Sequence, residues 1–283
     1  MKLQLLTLYC FLLSFQGFSQ SSLLWKIEGS SLSKASYLFG TIHLIPAAEF
    51  RVSPTLDSLL LDSDSLLFEM DLAHPELAQI SMQYMQLDSV PSLKDLYKAS
   101  SYKKLSKALK RMGIQIDFFQ KFKPFLLQQQ IMSSVLIKDS KGYESYFLQF
   151  AKKHQIETGG LDHPALQLST LNAIPISKQA KDLYNLAMHP RDAEKKLKEL
   201  FDIYRSGDME KIYNFVSSSE EFGALETPFL YDRNLRWAEG IERRLQEDHS
   251  LFIAVGAAHL GGEDGLIHLL QKRGYTLSPI PLK

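Results

Sequence analysis

Two segments of this chain end in the same arrangement of chemically useful residues. Tyr37-Leu38-Phe39-Gly40-Thr41-Ile42-His43 and Leu251-Phe252-Ile253-Ala254-Val255-Gly256-Ala257-Ala258-His259 are each an apolar run followed by Gly-x-x-His. A glycine where a strand ends lets the backbone turn sharply or approach a ligand closely. The histidine then projects beyond the strand's carboxyl end, where open α/β sheets collect their ligands. A third segment, Phe68-Glu69-Met70-Asp71, is another apolar run closing in two carboxylates. Glu69 and Asp71 are two apart, so an extended backbone puts them on one face. One histidine after a strand is commonplace; two in matching strand-to-loop contexts at opposite ends of a chain are informative. Neutral imidazole and carboxylate are ligands for zinc, manganese or iron(II). Two histidines with one carboxylate would leave positions open for water and substrate.

Those side chains need strands to carry them, and the ends of the chain supply the pattern. Leu23 to Glu28 and Tyr37 to Phe39 flank Gly29-Ser30-Ser31 and predict a hairpin. Ser53-Pro54 before the apolar spacing of Thr55 to Leu61 predicts a helix start. Ser65 to Met70 predicts a buried strand, Ile156 to Leu161 a short one with Gly159-Gly160 as a bulge or close backbone approach. Leu251 to Val255 predicts a strand, Gly265 to Lys272 a helix stopped by Gly274, and Tyr275 to Pro279 a closing strand.

The middle reads as helical. From His74 to about Lys138 the periodicity is mostly 3.6, and Asp117 to Gln130 carries Phe118, Phe119, Phe122, Phe125 and Leu126 as a face expected to pack into the core. Ser177 to Tyr204 predicts a helix or pair broken near His189-Pro190, and Phe229 to Glu247 a further helix. Asp264 is expected to cap the helix that starts near Gly265. The fold class is therefore α/β: a central mixed sheet flanked by helices, with a large helical insertion at about 74–247 within one domain, 20–283.

Met1-Lys2, the apolar run Leu3 to Phe15, and Gly17 and Ser19 read as a signal peptide cleaved after Ser19. The run is short of the roughly 20 residues a membrane span needs. Cys10, the single cysteine, lies within it, preceded by Leu8 and Tyr9 rather than the small residues a lipid anchor requires. The mature chain would be cysteine-free and exported, periplasmic or extracellular, with no disulfide, thiolate nucleophile or cysteine zinc site. Lys plus Arg balances Asp plus Glu at 32 each, and 45% of the 283 residues are hydrophobic. That composition excludes disorder, and without basic clusters nucleic acid is not an expected partner.

At these residues the chain resembles the TraB/GumN family, which includes the Tiki membrane proteases and the PrgY pheromone-inhibitory proteins. The resemblance rests on Gly40-Thr41-Ile42-His43, Glu69-Met70-Asp71, Arg233-Asn234 and Gly256-Ala257-Ala258-His259, and runs on through Leu260 to Leu266, Leu269-Leu270 and Gly274-Tyr275. It implies an erythromycin-esterase/ChaN-like α/β fold and, for the Tiki branch, a metal-dependent peptidase centre. Carried onto this chain, His43 and His259 become metal ligands or catalytic histidines, Glu69 the third ligand or general base, and Arg233 and Asn234 polar supports of the same cleft. Where the family often has Gly-Leu-Glu before a downstream Gln, this chain has Gly160-Leu161-Asp162 before Gln167. The acid there is shorter, and its role is left open.

The expected function is a metal-dependent hydrolase acting on peptides. A divalent zinc, manganese or cobalt ion would be held by His43, His259 and Glu69, with Asp71 or Glu263 moving the proton and Arg233 facing the tetrahedral intermediate. Two alternatives stand beside it: a PrgY-like module that captures a peptide or small ligand without turnover, and an esterase-type hydrolase using His and Glu without metal. No His-Glu-x-x-His helix, Gly-x-Ser-x-Gly elbow or phosphate-binding loop is present.

Overall fold

The computed structural model describes residues 21–137, 139–219, 227–247 and 249–282. The segment 1–19 read above as a signal peptide, with Cys10, lies outside them. The chain opens with β1 (Leu24–Glu28), β2 (Ser36–Thr41) and the short β3 (Ile45–Pro46), then α1 (Pro54–Leu61) and β4 (Ser65–Met70). Next come α2 (Leu77–Met85), α3 (Ala99–Arg111), α4 (Pro124–Ile131), the short β5 (Ser140–Lys141), α5 (Tyr143–His154) and β6 (Glu157–Asp162). The run α6 (Pro164–Ser169), α7 (Ile176–Met188), α8 (Pro190–Ser206), α9 (Met209–Ser217) and α10 (Asp232–Gln246) follows. The chain closes with β7 (Leu251–Gly256), α11 (Leu266–Lys272) and β8 (Thr276–Ile280).

Six strands form one mixed sheet in the order β6-β4-β7-β2-β1-β8. The first four are mutually parallel, while β1 runs antiparallel to both β2 and β8. β7 sits between β4 and β2, and its Leu-Phe-Ile-Ala-Val run is buried throughout. A strand covered on both faces has to be apolar on both, which is why β7 shows no alternation. Removing a Phe252 or Ile253 side chain from water contributes about 2 kcal/mol each. The predicted β1–β2 hairpin is present, with Leu24 opposite Phe39.

The ends of β2, β4, β6 and β7 all face one edge of the sheet, because the strands are parallel. Gly40 and Gly160 are glycine for reasons of space. A Cβ on Gly40 would lie 3.0 Å from the Cβ of Ala257, so the two Gly-x-x-His loops pack directly on each other. A Cβ on Gly160 would meet the Asp71 backbone nitrogen at 2.2 Å, the close approach expected for that glycine pair.

The segment between β4 and β7 is not purely helical, since it supplies β6 as an edge strand of the main sheet. Among its helices α3, α4 and α7 share a second core around Leu93, Leu105, Leu109, Leu127, Ile131 and Leu183, while α5, α8, α9 and α10 pack into the main one. Asp117 to Gln130 does not form one amphipathic helix. A 3₁₀ turn covers Ile116–Phe119, and α4 begins only at Pro124, whose missing N–H suits a first helical position. The rotation between the two pieces leaves Phe118 73% exposed rather than packed in the core. Asp264 does not cap α11 either; Gly265 is the capping residue, without a side-chain bond.

Candidate functional site

The carboxyl edge of the parallel strands gathers a small set of buried polar groups. Glu69, near the end of β4, is 8% exposed and surrounded by donors. Its Oε2 accepts from Arg233 Nη2 and from Gln167 Nε2, both at 2.9 Å, and its Oε1 accepts from the Gly256 backbone N–H at 2.8 Å. The neighbouring strand can give that N–H because Gly256 is bare: a Cβ there would lie 3.1 Å from Oε1. Burial works against the charge on Glu69, but the cationic Arg233 and His43 and the Gly256 N–H outweigh it. Its pKa is held below the ordinary carboxylate value.

Arg233, in the first turn of α10, is 3% exposed. Besides Glu69 it binds Asp162 Oδ2 through Nε at 2.9 Å, and its guanidinium lies over the Trp237 ring at 4.3 Å. Asp162, at the end of β6, thus has a definite place: the shorter acid reaches the arginine rather than the mouth of the site. Arg236 adds a longer contact of 3.5 Å to Asp162 Oδ1. A planar fork between two carboxylates is the geometry that suits arginine and not lysine. Through Nε and Nη2 Arg233 ties β4, β6 and α10 together.

His259 lies in the 3₁₀ turn after β7 and is 5% exposed. Asn234 fixes its ring. The Asn234 amide nitrogen donates to the Asp264 carbonyl at 2.9 Å, so its Oδ1 is what faces His259 Nδ1 at 2.7 Å. An oxygen can only accept; Nδ1 therefore carries the proton and Nε2 the lone pair. That Nε2 stands 3.8 Å from Glu69 Oε1. Burial pushes the pKa of His259 below its usual value, so the ring is neutral. The Trp237 ring covers it, with centroids 4.5 Å apart.

His43 differs in setting. Its side chain is 72% exposed, and its Nδ1 lies 3.0 Å from Oε1 of Glu144 in the first turn of α5. That hydrogen bond raises the His43 pKa above the free-imidazole value. Glu144 also accepts from the Thr41 hydroxyl at 2.6 Å. Burial opposes its charge, yet the bonds from His43 and Thr41 keep its pKa below normal. Glu69 and His43 influence each other's ionisation, so the exposed histidine belongs to the same electrostatic neighbourhood as the buried acid.

Of the residues singled out in the sequence, Glu69, Arg233, Asn234 and His259 form one connected network, and His43 stands at its open side. Asp71 lies past the end of β4 and spends Oδ1 on the Ala73 N–H. Glu263 is exposed in the turn before α11. Neither joins the network among the described contacts. Sequence reasoning missed Glu144, Thr41 and Trp237. An acid in the first turn of a mid-chain helix looks like ordinary dipole compensation, so no signal separated Glu144 from many others.

The residues as placed do not fit a three-ligand metal centre. Among the described residues no three His, Cys, Asp or Glu side chains stand where they could share a metal ion. The donor chemistry gives the reason. Oε2 of Glu69 takes two N–H donors, one of them cationic, and Oε1 a third, so the acid has little left to offer a cation beside the Nε2 atoms of His43 and His259.

A mixed-sheet α/β protein with a buried carboxylate, guanidinium and imidazole centre at the ends of its parallel strands is the class that this fold and site define. The chain belongs to the TraB/PrgY/gumN family, whose model matches residues 23–279. It is similar to Metalloprotease TIKI2 of Xenopus tropicalis, 22% identical over 317 residues covering 92% of this chain and 60% of that protein. It is equally similar to human Metalloprotease TIKI1, 22% identical over 318 residues covering 92% of this chain and 62% of that one. A stretch of 75 residues is 32% identical to the Metalloprotease TIKI homolog of Amphimedon queenslandica, covering 26% of this chain and 13% of the relative. The chain thus spans about three fifths of the length of the first two relatives. No solved structure matches it. Among the described residues no helix is long and apolar enough to cross a membrane.

Proposed function

We propose that this chain is an exported hydrolase of peptide bonds, directed to the periplasm or the exterior by residues 1–19. Its machinery is His43, Glu69, Arg233, Asn234 and His259. The observation that carries the reading is a neutral, tautomer-fixed His259 facing an ionised Glu69 where the parallel strands end. Family membership and relatives named as metalloproteases support it.

In this reading a peptide lies across the open side of the site. His43 donates from Nε2 to the carbonyl oxygen and offsets the charge of the tetrahedral intermediate. A water attacks the carbonyl carbon as its proton passes to His259 Nε2, and the ionised Glu69 stabilises the imidazolium so formed. The proton then goes to the leaving amine as the C–N bond breaks. Arg233 and Asn234 hold the acid and the ring in place. No step uses a metal. The relatives' names point to a metal; a zinc, manganese or cobalt ion held by His43, His259 and Glu69 would have to compete with the N–H donors and the Arg233 charge for that acid.

The test is product analysis by mass spectrometry after incubating the purified chain with a mixed peptide library. It is run with a chelator and, separately, with zinc, manganese or cobalt. New amino termini are expected with the wild-type chain and not with His259→Ala; intact library under every condition would overturn the proposal. Cleavage confined to the metal arms would establish the cation as a requirement. The second reading, capture without turnover, has an observation in its favour: burial holds the His259 pKa below its usual value, and a buried ring so reluctant to take a proton is a weak base. Retention of uncut peptides on the immobilised chain would select it.

A further inference from the structure

We propose that Glu144 is the positioning residue of His43, an inference that rests on the hydrolytic reading of this site. The two Gly-x-x-His histidines share one feature despite their different exposure. Each has its Nδ1 against an oxygen supplied by a helix remote in sequence: Asn234 of α10 for His259, and Glu144 of α5 for His43. The carboxylate oxygen can only accept, so it keeps a proton on Nδ1 and leaves Nε2 pointing elsewhere, a donor while the ring is the imidazolium that meets the carbonyl and a lone pair once the ring is neutral. His259 would be held by its packing in any case. His43, largely exposed, has no such confinement, and one bond to a fixed acid restricts its rotamer.

Glu144 is itself fixed, which distinguishes this pair from an ordinary surface ion pair. Its side chain is 18% exposed, and the same Oε1 that meets His43 takes the Thr41 hydroxyl. The start of α5 is locked to β2: Tyr143 packs its ring against Phe39 at 5.1 Å. Gly142 lies so close to the His43 loop that a Cβ there would come 2.8 Å from the His43 carbonyl oxygen. The loop's other end is held by the buried Tyr204 hydroxyl, which donates to the Gly40 carbonyl at 2.9 Å. The backbone from Gly40 to His43 is therefore fastened at Gly40, Thr41 and the His43 ring, and Glu144 makes two of the three attachments.

The experiment reads the His43 tautomer directly, by long-range nitrogen–proton NMR of the histidine-labelled full chain at pH 10, where the ring is neutral. The wild-type ring is expected as the Nδ1–H form; Glu144→Ala should return it to the mixture dominated by Nε2–H that an unpaired histidine side chain shows. For one peptide cleaved from the mixed library, Glu144→Ala should lower kcat about tenfold to hundredfold with KM unchanged. A wild-type ring in the Nε2–H form overturns the proposal without any variant, so a Glu144→Ala chain that failed to fold would not shelter it. An unaltered tautomer and kcat in a folded Glu144→Ala chain would overturn it equally. The spectrum needs no turnover: a wild-type chain inert toward every peptide removes the hydrolytic reading while leaving the tautomer result to stand.

Discussion

Arg233 Nη2 lies 2.9 Å from Glu69 Oε2, although the two residues are 164 positions apart. The bond joins the first turn of α10 to the end of β4, and the same guanidinium reaches Asp162 on β6. A buried acid surrounded by fixed donors is well anchored, and the consequences for stability and chemistry can be measured.

Replacing Glu69 with Gln removes the charge while keeping the shape. Arg233 keeps Asp162, so the loss of stability should be about 3 kcal/mol, at the low end for breaking a buried pair. Urea unfolding of the two chains at neutral pH measures it, and equal midpoints would show that the pair contributes nothing.

The same acid predicts an acid limb. Because the folded pKa of Glu69 lies below its unfolded value of 4.5, its stabilisation is fully present above the ordinary carboxylate range and disappears as pH falls through the lowered value. Between about pH 5 and pH 2 the wild-type chain should lose stability more steeply than Glu69→Gln. Parallel slopes in urea titrations across that range would contradict the assignment.

His43→Ala should separate chemistry from folding. The ring is mostly exposed, so its pairing with Glu144 contributes less than about 1 kcal/mol. With a raised pKa, that small contribution is present below 6.5 and lost as pH climbs past the folded value. Peptide hydrolysis should drop at least about a hundredfold while the melting temperature barely moves. A variant with full turnover would remove His43 from the mechanism.

Gly256→Ala tests the close approach of β7 to Glu69. The added methyl would lie 3.1 Å from Oε1 and 3.7 Å from His259 Cδ2, tight enough to push the acid off the Gly256 N–H. A cost of about 1–2 kcal/mol is expected, with reduced turnover. An unchanged melting temperature with unchanged activity would mean that the centre has slack its distances do not show.

Arg233 also predicts how the centre treats metal. With Glu69 tied to a cation, the wild-type chain should bind zinc weakly in calorimetry, and Arg233→Met should bind it about tenfold more tightly or better, since removing the positive charge frees the acid. A wild-type chain that keeps one equivalent of metal through dialysis against chelator would show instead that the Arg233 pair does not hold a cation off Glu69.

Much of this was legible in the primary structure. The strands of the two chain ends, the helix start at Ser53-Pro54 and the break at His189-Pro190 follow from local periodicity and from proline and glycine chemistry, which act over a few residues. Glu69, His43 and His259 stood out because each follows an apolar strand, and a parallel sheet places such ends on one edge. Local pattern failed at Phe118, where the fit of two short helical pieces set the exposure. It failed at Asp264 too, whose backbone carbonyl serves Asn234 while its side chain caps nothing.

What the amino-acid order determined by itself was therefore the parts: which strands exist, and which acids and imidazoles stand at their ends. Only the tertiary structure decided how those parts pair. Hydrogen bonds between side chains reach about 3 Å, and nothing in the spacing of Glu144 from His43, or of Arg233 from Glu69 and Asp162, says that folding will close that distance. The strand order β4-β7-β2 and the placement of α5 and α10 against it closed it. Those same choices gave one histidine a buried amide and the other a partly buried acid.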